Sequence, residues 1–327
     1  MLAALAGGVG AARMLRGLLA VVDPRDVVAV VNTGDDVVLH GLHISPDLDT
    51  VVYTLAGAIN PETGWGLAGE TWAAMEALGA YGQGDLAWFR LGDRDIGTHL
   101  YRTSRRAAGA PLSQITSEIV ARWGLELRVL PVSDDVVETR VTVAGGQEIG
   151  FQEYFVGHHH EVPVSAVRFA GAADARPAPG VLDAIERAAG VVICPSNPIV
   201  SIGPLLAVSG VRDAVIARRV DTVAVSPIVA GAALKGPADR MMTELGHEAS
   251  VVGVARLYAP LASTLVIDDA DAELADAVEA EGMRPVVAPT VMRGPEEAAA
   301  LARTVLGALG ALGEPGARHE LGESSRR

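Results

Sequence analysis

The chain has 327 residues, is 50% hydrophobic and 20% charged, and carries a formal net charge of −14. That length supports a large α/β unit with an insertion, and the negative field argues against nucleic acid and anionic membranes as partners. The single cysteine, Cys194, excludes an internal disulfide and a cysteine-built zinc site.

No apolar run approaches the ~20 residues of a membrane helix. A cytoplasmic location is the default expectation. The first apolar run, residues 1–6, leads into Leu5-Ala6-Gly7-Gly8-Val9-Gly10-Ala11-Ala12-Arg13. A helical pattern follows, with Met14, Leu15, Leu18 and Leu19 apolar. Strand, glycine turn and helix is how a parallel sheet offers backbone N–H groups to a phosphate. Gly7, Gly8 and Gly10 are therefore candidate phosphate contacts, since a side chain there would hold an anion away from the backbone. The pattern is neither G-x-G-x-x-G nor a Walker loop, so a plain tight turn explains it as well.

Val27 to Val31 reads as a buried parallel strand. It ends in Asn32-Thr33-Gly34-Asp35-Asp36. Open α/β sheets place ligands at such polar strand ends, although Asn, Gly and Asp also make ordinary turns. Ser45-Pro46 predicts a capped helix start with Asp47 in its first turn. Asp49 lies two residues on. Asp35, Asp36, Asp47 and Asp49 are candidate Mg²⁺ ligands, because that ion takes a few carboxylates, keeps waters and bridges substrate phosphates. His40 and His43 read as polar lining rather than ligands.

Between about residues 60 and 125 the character changes. Trp65, Trp72, Tyr81, Trp88 and Phe89 fall here, and the β-branched runs vanish. Residues 70–78, 98–107 and 112–123 read as helices. Residues 61–125 are thus expected to be a helical insertion that covers the active site, between core segments 1–60 and 126–310. Within it, Arg90-Leu91-Gly92-Asp93-Arg94-Asp95 is either a surface ion-pair ladder or part of a ligand site. Residues 128–132 and 139–143 read as strands, with 144–146 a hairpin turn and 152–155 continuing the hairpin. His158-His159-His160 reads as a loop, since three consecutive histidines share no face.

The second half repeats the strand–loop–helix order. Residues 181–189 predict a helix and 191–194 a buried strand, with Cys194 a small core residue. That strand ends in Pro195-Ser196-Asn197-Pro198, and Ser201-Ile202-Gly203-Pro204 opens the next helix. The strand 220–225 ends at Ser226. Lys235, Asp239 and Arg240 then stand at a helix start after a glycine-rich loop. They suit a diphosphate, with Asp able to pair with the edge of guanine, though an amphipathic helix start also explains them. Residues 250–254, 263–267 and 284–288 read as further strands, 273–282 and 296–312 as helices, and 313–327 as a disordered tail. The recurrent order predicts an α/β, Rossmann-like fold: a mostly parallel, doubly wound sheet with a helical insertion subdomain.

Four strand ends now carry ligand-type loops. The blocks LAGGVGAAR at Leu5, VVNTGDD at Val30, HGLHISPDLDTVVYTLAG at His40, WGLAGETW at Trp65 and RLGDRDIGTHLYRT at Arg90 are specific. So are PSNPIVSIGP at Pro195, SPIVAGAALKGPADRMM at Ser226 and VVGVARLY at Val251. Together they span nearly the whole chain to about residue 305, and they resemble the 2-phospho-L-lactate transferase family (CofD), most closely in its actinobacterial form.

The resemblance implies a transferase of coenzyme F420 biosynthesis. It would move a phosphoenolpyruvyl or 2-phospho-L-lactyl group from a guanosine diphosphate conjugate to the hydroxyl of the deazaflavin Fo, releasing GMP. It also implies Mg²⁺ as cofactor and a homodimer. By motif, Asp49 is the catalytic residue and the contact to Fo and metal. Arg90 is a second Fo-side residue, with Arg94 beside it, and Trp88 supplies a ring for stacking. The glycine loop, Asn32, Thr33, Ser196, Asn197, Ser201, Gly203, Ser226, Lys235, Asp239 and Arg240 would hold the guanylyl diphosphate. The alternative is a non-catalytic, nucleotide-sugar-binding regulator of the same fold family.

Overall fold

A parallel sheet covered on both faces calls for continuous apolar strands, and the strands of the central sheet have that character. A computed structural model describes residues 1–81 and 88–310, so the expected tail at 313–327 lies outside the described residues. The strands are β1 (Leu2–Ala6), β2 (Val27–Val31), β3 (Val37–Leu39), β4 (Leu42–Ile44), β5 (Arg128–Pro131), β6 (Glu138–Val143) and β7 (Glu148–Gly150). They continue with β8 (Val164–Ala170), β9 (Gly190–Ile193), β10 (Thr222–Val225), β11 (Ile228–Val229), β12 (Ala232–Ala233), β13 (Thr264–Ile267) and β14 (Arg284–Val287). The helices are α1 (Gly8–Leu19), α2 (Pro46–Leu55), α3 (Ala73–Gly79), α4 (Asp93–Ala107), α5 (Leu112–Arg122) and α6 (Val181–Glu186). After them come α7 (Gly203–Ala207), α8 (Val211–Ala217), α9 (Ala238–Glu244), α10 (Val251–Tyr258), α11 (Ala275–Ala280) and α12 (Pro295–Ala308).

The seven-stranded sheet runs β14-β13-β10-β9-β1-β2-β5, every neighbouring pair parallel. The chain moves outward from β1 through β2 to β5, returns to β9, and moves outward again through β10, β13 and β14. The order reverses between β1 and β9, where Leu5 stands opposite Ile193. Ligands of open α/β sheets sit at the carboxyl ends of the strands beside such a reversal.

Alternate residues feed two cores. Leu5, Val30 and Ile193 join Leu205, Val215 and Val254 on one face. Ala4, Val31 and Val192 join Met14, Leu18 and Val305 on the other. The sheet is therefore doubly wound and Rossmann-like, as the sequence predicts. Among the described residues no single helix is long and apolar enough to cross a membrane.

Two expected strands are helical. Residues 250–254 begin α10, because the Ser250 hydroxyl accepts the N–H groups of Val252 and Gly253 and caps the turn. Val251, Val252, Val254, Ala255 and Tyr258 are all buried, so the β-branched run serves a helix enclosed on most sides. Residues 152–155 fall in a helical turn over Glu153–Gly157. The rings of Phe151 and Phe155, four residues apart, stack there with centroids 5.6 Å apart.

The segment between β4 and β5 holds α3, α4 and α5. Reciprocal caps fix the first two. The Asp93 carboxylate accepts the N–H groups of Ala73 and Ala74 at 3.0 Å, and Glu70 accepts those of Arg94 and Asp95 at 2.7 and 2.9 Å. Helix α4 consequently starts at Asp93, five residues before the expected start.

Helix α1 reaches the strand ends only because Gly10 has no side chain: a Cβ there would lie 2.1 Å from the Pro195 carbonyl oxygen. Gly10→Ala should cost about 1–3 kcal/mol in denaturant unfolding. Gly97→Ala, in the interior of α4 with nothing within 4 Å of a new Cβ, should instead gain about 0.5–1 kcal/mol. Equal effects at the two positions would refute this account of the close approach.

Candidate active site

A cavity of about 780 Å³ lies over the carboxyl ends of β1, β2, β9 and β10. Of the residues chosen from the sequence, Gly7, Gly8, Gly10, Asp35, Asp47, Asp49, Arg90, Ser196, Asn197, Ser201, Ser226 and Lys235 line it. Asn32, Thr33, Asp36, Trp88, Arg94, Gly203, Asp239 and Arg240 do not.

One wall is acidic. The glycine loop turns its N–H groups to the protein's own acceptors: Gly7 donates to Ser196 Oγ at 3.3 Å, and Gly8 donates to Asp47. A Cβ at Gly7 would lie 2.8 Å from Asp47 Oδ2. Asp47 also accepts from Asn32 Nδ2 at 2.9 Å, while Asn32 Oδ1 accepts the Gly34 N–H at 2.8 Å. Asn32 thus shapes the acidic wall from behind it.

Burial raises Asp47 above the usual carboxylate range. Burial, and then the charge of Asp47, raises Asp35 further. Asp35 Oδ1 is buried with no hydrogen-bond partner. Asp36 accepts the Ser45 hydroxyl at 2.7 Å, so Ser45 does not cap α2 with its side chain. Burial pushes Asp36 up to about 8.

The other buried carboxylate, Asp49, belongs to a network that sequence reasoning missed. Arg102, 2% exposed, donates to Asp49 Oδ1. Its other amino group lies 3.2 Å from His99 Nδ1 and donates to the His43 carbonyl at 3.3 Å. His99 Nε2 lies 3.5 Å from Asp95 Oδ1, which accepts the Tyr53 hydroxyl at 2.6 Å. Burial works against the Asp95 charge, but the His99 contact outweighs it and holds this carboxyl below its usual range. Tyr53, Asp95 and His99 all line the cavity.

Another part of the lining is cationic. Arg13 donates to the Met292 carbonyl at 3.2 Å, and Lys235 to the Thr63 carbonyl at 3.0 Å. Burial, then the charge of Arg13, lowers the Lys235 pKa. Neither cation has a carboxylate partner among the described residues. The Arg90 guanidinium lies over the Trp72 ring, 4.6 Å from its centroid.

The remaining expected residues have other work. Arg94 holds the Ala68 carbonyl. Trp88 packs edge-on against Phe89 at 5.5 Å, and it is Phe89 that faces the cavity. Thr33 is buried, its carbonyl accepting the Asp36 N–H at 3.1 Å. Gly203 gives room to Phe169, whose ring would be 2.8 Å from a Cβ. Asp239 and Arg240 begin α9. Arg240 pairs with Glu244 four residues on and donates to the His160 and Glu161 carbonyls. The amphipathic helix start, not a diphosphate grip, describes this pair. Cys194 is buried in the core, its thiol pushed up to about 12 by desolvation.

Two groups have the chemistry of a cation site. Oxygens of Asp49 and Asp95 and a ring nitrogen of His99 lie within 4.8 Å of one another, so this group could hold a metal ion. Asp35 and Asp47 offer hard oxygen ligands, and the unpartnered Asp35 Oδ1 fits a hard divalent ion that takes one or two carboxylates plus water and phosphate.

Fold and cavity define an α/β protein of the Rossmann-like class with a polar, two-signed cleft at its switch point. More narrowly, the chain belongs to the family described as 2-phospho-L-lactate transferase CofD, whose profile matches residues 2–304, and it is a transferase. A phosphoenolpyruvate transferase of Kitasatospora aureofaciens is 48% identical over 93% of this chain and 96% of its own. One from Thermobifida fusca is 47% identical over 91% and 94%. The crystal structure of a UPF0052-family protein from Bacillus halodurans shares the fold, with a TM-score of 0.59 at 16% identity, over 93% of this chain and 98% of that one.

If the acidic wall awaits a cation, its charge destabilises the cation-free protein. Asp35→Asn should then raise stability by about 1 kcal/mol in a chelating buffer, and Mg²⁺ should raise the melting temperature of the parent protein more than that of the variant. A variant less stable in chelator would mark Asp35 as a structural carboxylate instead.

Proposed function

We propose that this chain moves a phosphoenolpyruvyl group, or its 2-phospho-L-lactyl counterpart, from a guanosine diphosphate conjugate to the hydroxyl of Fo. GMP leaves, and the product is dehydro-F420-0 or F420-0, a step in coenzyme F420 biosynthesis. The observation that carries this reading is the two-signed cavity. Buried carboxylates with an unpartnered oxygen share it with Arg13 and Lys235, two cations without carboxylate partners. That arrangement suits a metal-bound diphosphate. The name phosphoenolpyruvate transferase carried by relatives favours the enolpyruvyl donor.

In this reading Asp35 and Asp47 hold Mg²⁺, which when bound neutralises charge on the phosphate oxygens. Lys235 and Arg13 bind the remaining phosphate oxygens. Ser196, Asn197, Ser201 and Ser226 offer polar groups at the ends of β9 and β10. Phe89, Tyr53 and Arg90 form the wall for the flat acceptor ring, and residues 61–125 cover it. The acceptor hydroxyl oxygen bonds to the phosphorus that carries the enolpyruvyl group. The bond from that phosphorus to the GMP oxygen breaks, and its electron pair leaves with GMP. Asp49 orients the hydroxyl and takes its proton. Most of the barrier is lowered by placement and charge neutralisation, as phosphoryl transfer requires little covalent help from protein groups.

The test is incubation of the protein with Fo, Mg²⁺ and each donor, with GMP and the coupled product followed by chromatography and mass. GMP should form only when Fo is present, and Asp49→Asn should lower turnover about 100-fold or more. No GMP from either donor would leave the nucleotide-binding regulator as the better reading.

A further inference from the structure

Arg102 is among the largest fully buried side chains of the described residues, and the reaction above assigns it nothing. It stands on α4, 53 positions from Asp49 in sequence, with its head inside the Asp49–Asp95–His99 group. A guanidinium only donates hydrogen bonds. The 3.2 Å contact from Arg102 therefore makes His99 Nδ1 an acceptor, and the neutral ring carries its proton on Nε2. That nitrogen faces Asp95 Oδ1 at 3.5 Å. Asp95 is held from its other side by the Tyr53 hydroxyl, and its main-chain N–H by Glu70. Each member of the group thus takes its orientation from Arg102 or from a neighbour that Arg102 orients. Asp49 Oδ1 is committed to Arg102, while Asp49 Oδ2 has no hydrogen-bond partner.

We propose that Arg102 is a positioning residue: its guanidinium occupies the place a metal ion would take among Asp49, Asp95 and His99, and fixes Asp49 with Oδ2 as its uncommitted oxygen. The divalent cation is thereby directed to Asp35 and Asp47. This inference rests on the role given to Asp49 above. Lysine cannot replace Arg102, because an ammonium is a point charge without the planar fork that reaches Asp49 and His99 together.

Two measurements test it. In the first, Co²⁺ alone is titrated into the full chain and into His99→Gln, with binding followed by visible absorption. The two proteins should give the same isotherm and spectrum. A loss of affinity of about tenfold or more in His99→Gln, with loss of nitrogen-type absorption, would show a metal bound where Arg102 is placed and would overturn the proposal. In the second, Arg102→Lys is compared with the parent protein in the Fo-dependent assay, with its fold checked by thermal unfolding. The expected result is a fall in kcat of about 100-fold, with Fo binding, read by fluorescence, little changed. A folded Arg102→Lys with parental kcat would overturn the proposal. If the parent protein itself releases no GMP, the functional reading fails, and the Co²⁺ comparison still decides the place of Arg102.

Discussion

One buried guanidinium faces more carboxylate charge than it can balance. Asp35, Asp47 and Asp49 are buried, Asp36 and Asp95 are half-buried, and Arg102 is the buried cation set among them. Burying like charges without partners is costly, and the cost shows as carboxyls held above their ordinary range at Asp35, Asp36 and Asp47. Arg102 compensates the Asp49 side directly. The Asp35–Asp47 side keeps its deficit of positive charge. A fold that maintains such a deficit in a cavity, with unpaired Arg13 and Lys235 in the same lining, has the electrostatics of a metal–diphosphate site.

The sheet topology brings these groups together. β1 and β9 diverge at the reversal of strand order, and the loops that leave them meet above it. Gly10 permits α1 to start against Pro195, which sets the glycine loop beside Ser196 and Asp47. The loop is thereby more than a phosphate cradle: its first N–H groups hold Ser196 and Asp47 in place. The segment between β4 and β5 completes the cavity with Phe89, Arg90, Asp95 and His99. Its reciprocal caps, Asp93 on α3 and Glu70 on α4, fix the start of the helix that delivers His99 and Arg102.

Much of this was legible in the sequence. Unbroken apolar runs such as Val27 to Val31 identify parallel strands, and polar clusters directly after them locate the ligand end. The acidic cluster from Asp35 to Asp49 was visible because four carboxylates near a predicted strand end and helix start are unusual. Arg102 was not. It stands in a polar helix among Arg94, Arg105 and Arg106, and its pattern gives no sign that it alone is buried. Asp239 and Arg240 misled in the opposite direction: a helix start after a glycine-rich loop looks like an anion site, and only the Glu244 partner four residues on marks the pair as structural. Residues 250–254 looked like a strand because a helix enclosed on most sides loses its polar face, and with it the 3.6-residue signal.

The central claim is that a divalent cation and a diphosphate meet between the Asp35–Asp47 wall and the Arg13–Lys235 part of the lining. Crystals grown with Mn²⁺ and GDP, measured at the manganese absorption edge, test it most directly. The account predicts an anomalous peak ligated by Asp35 and Asp47, with the diphosphate oxygens reaching Lys235 and Arg13. A peak at Asp49, Asp95 and His99, or a diphosphate bound away from both cations, would contradict it.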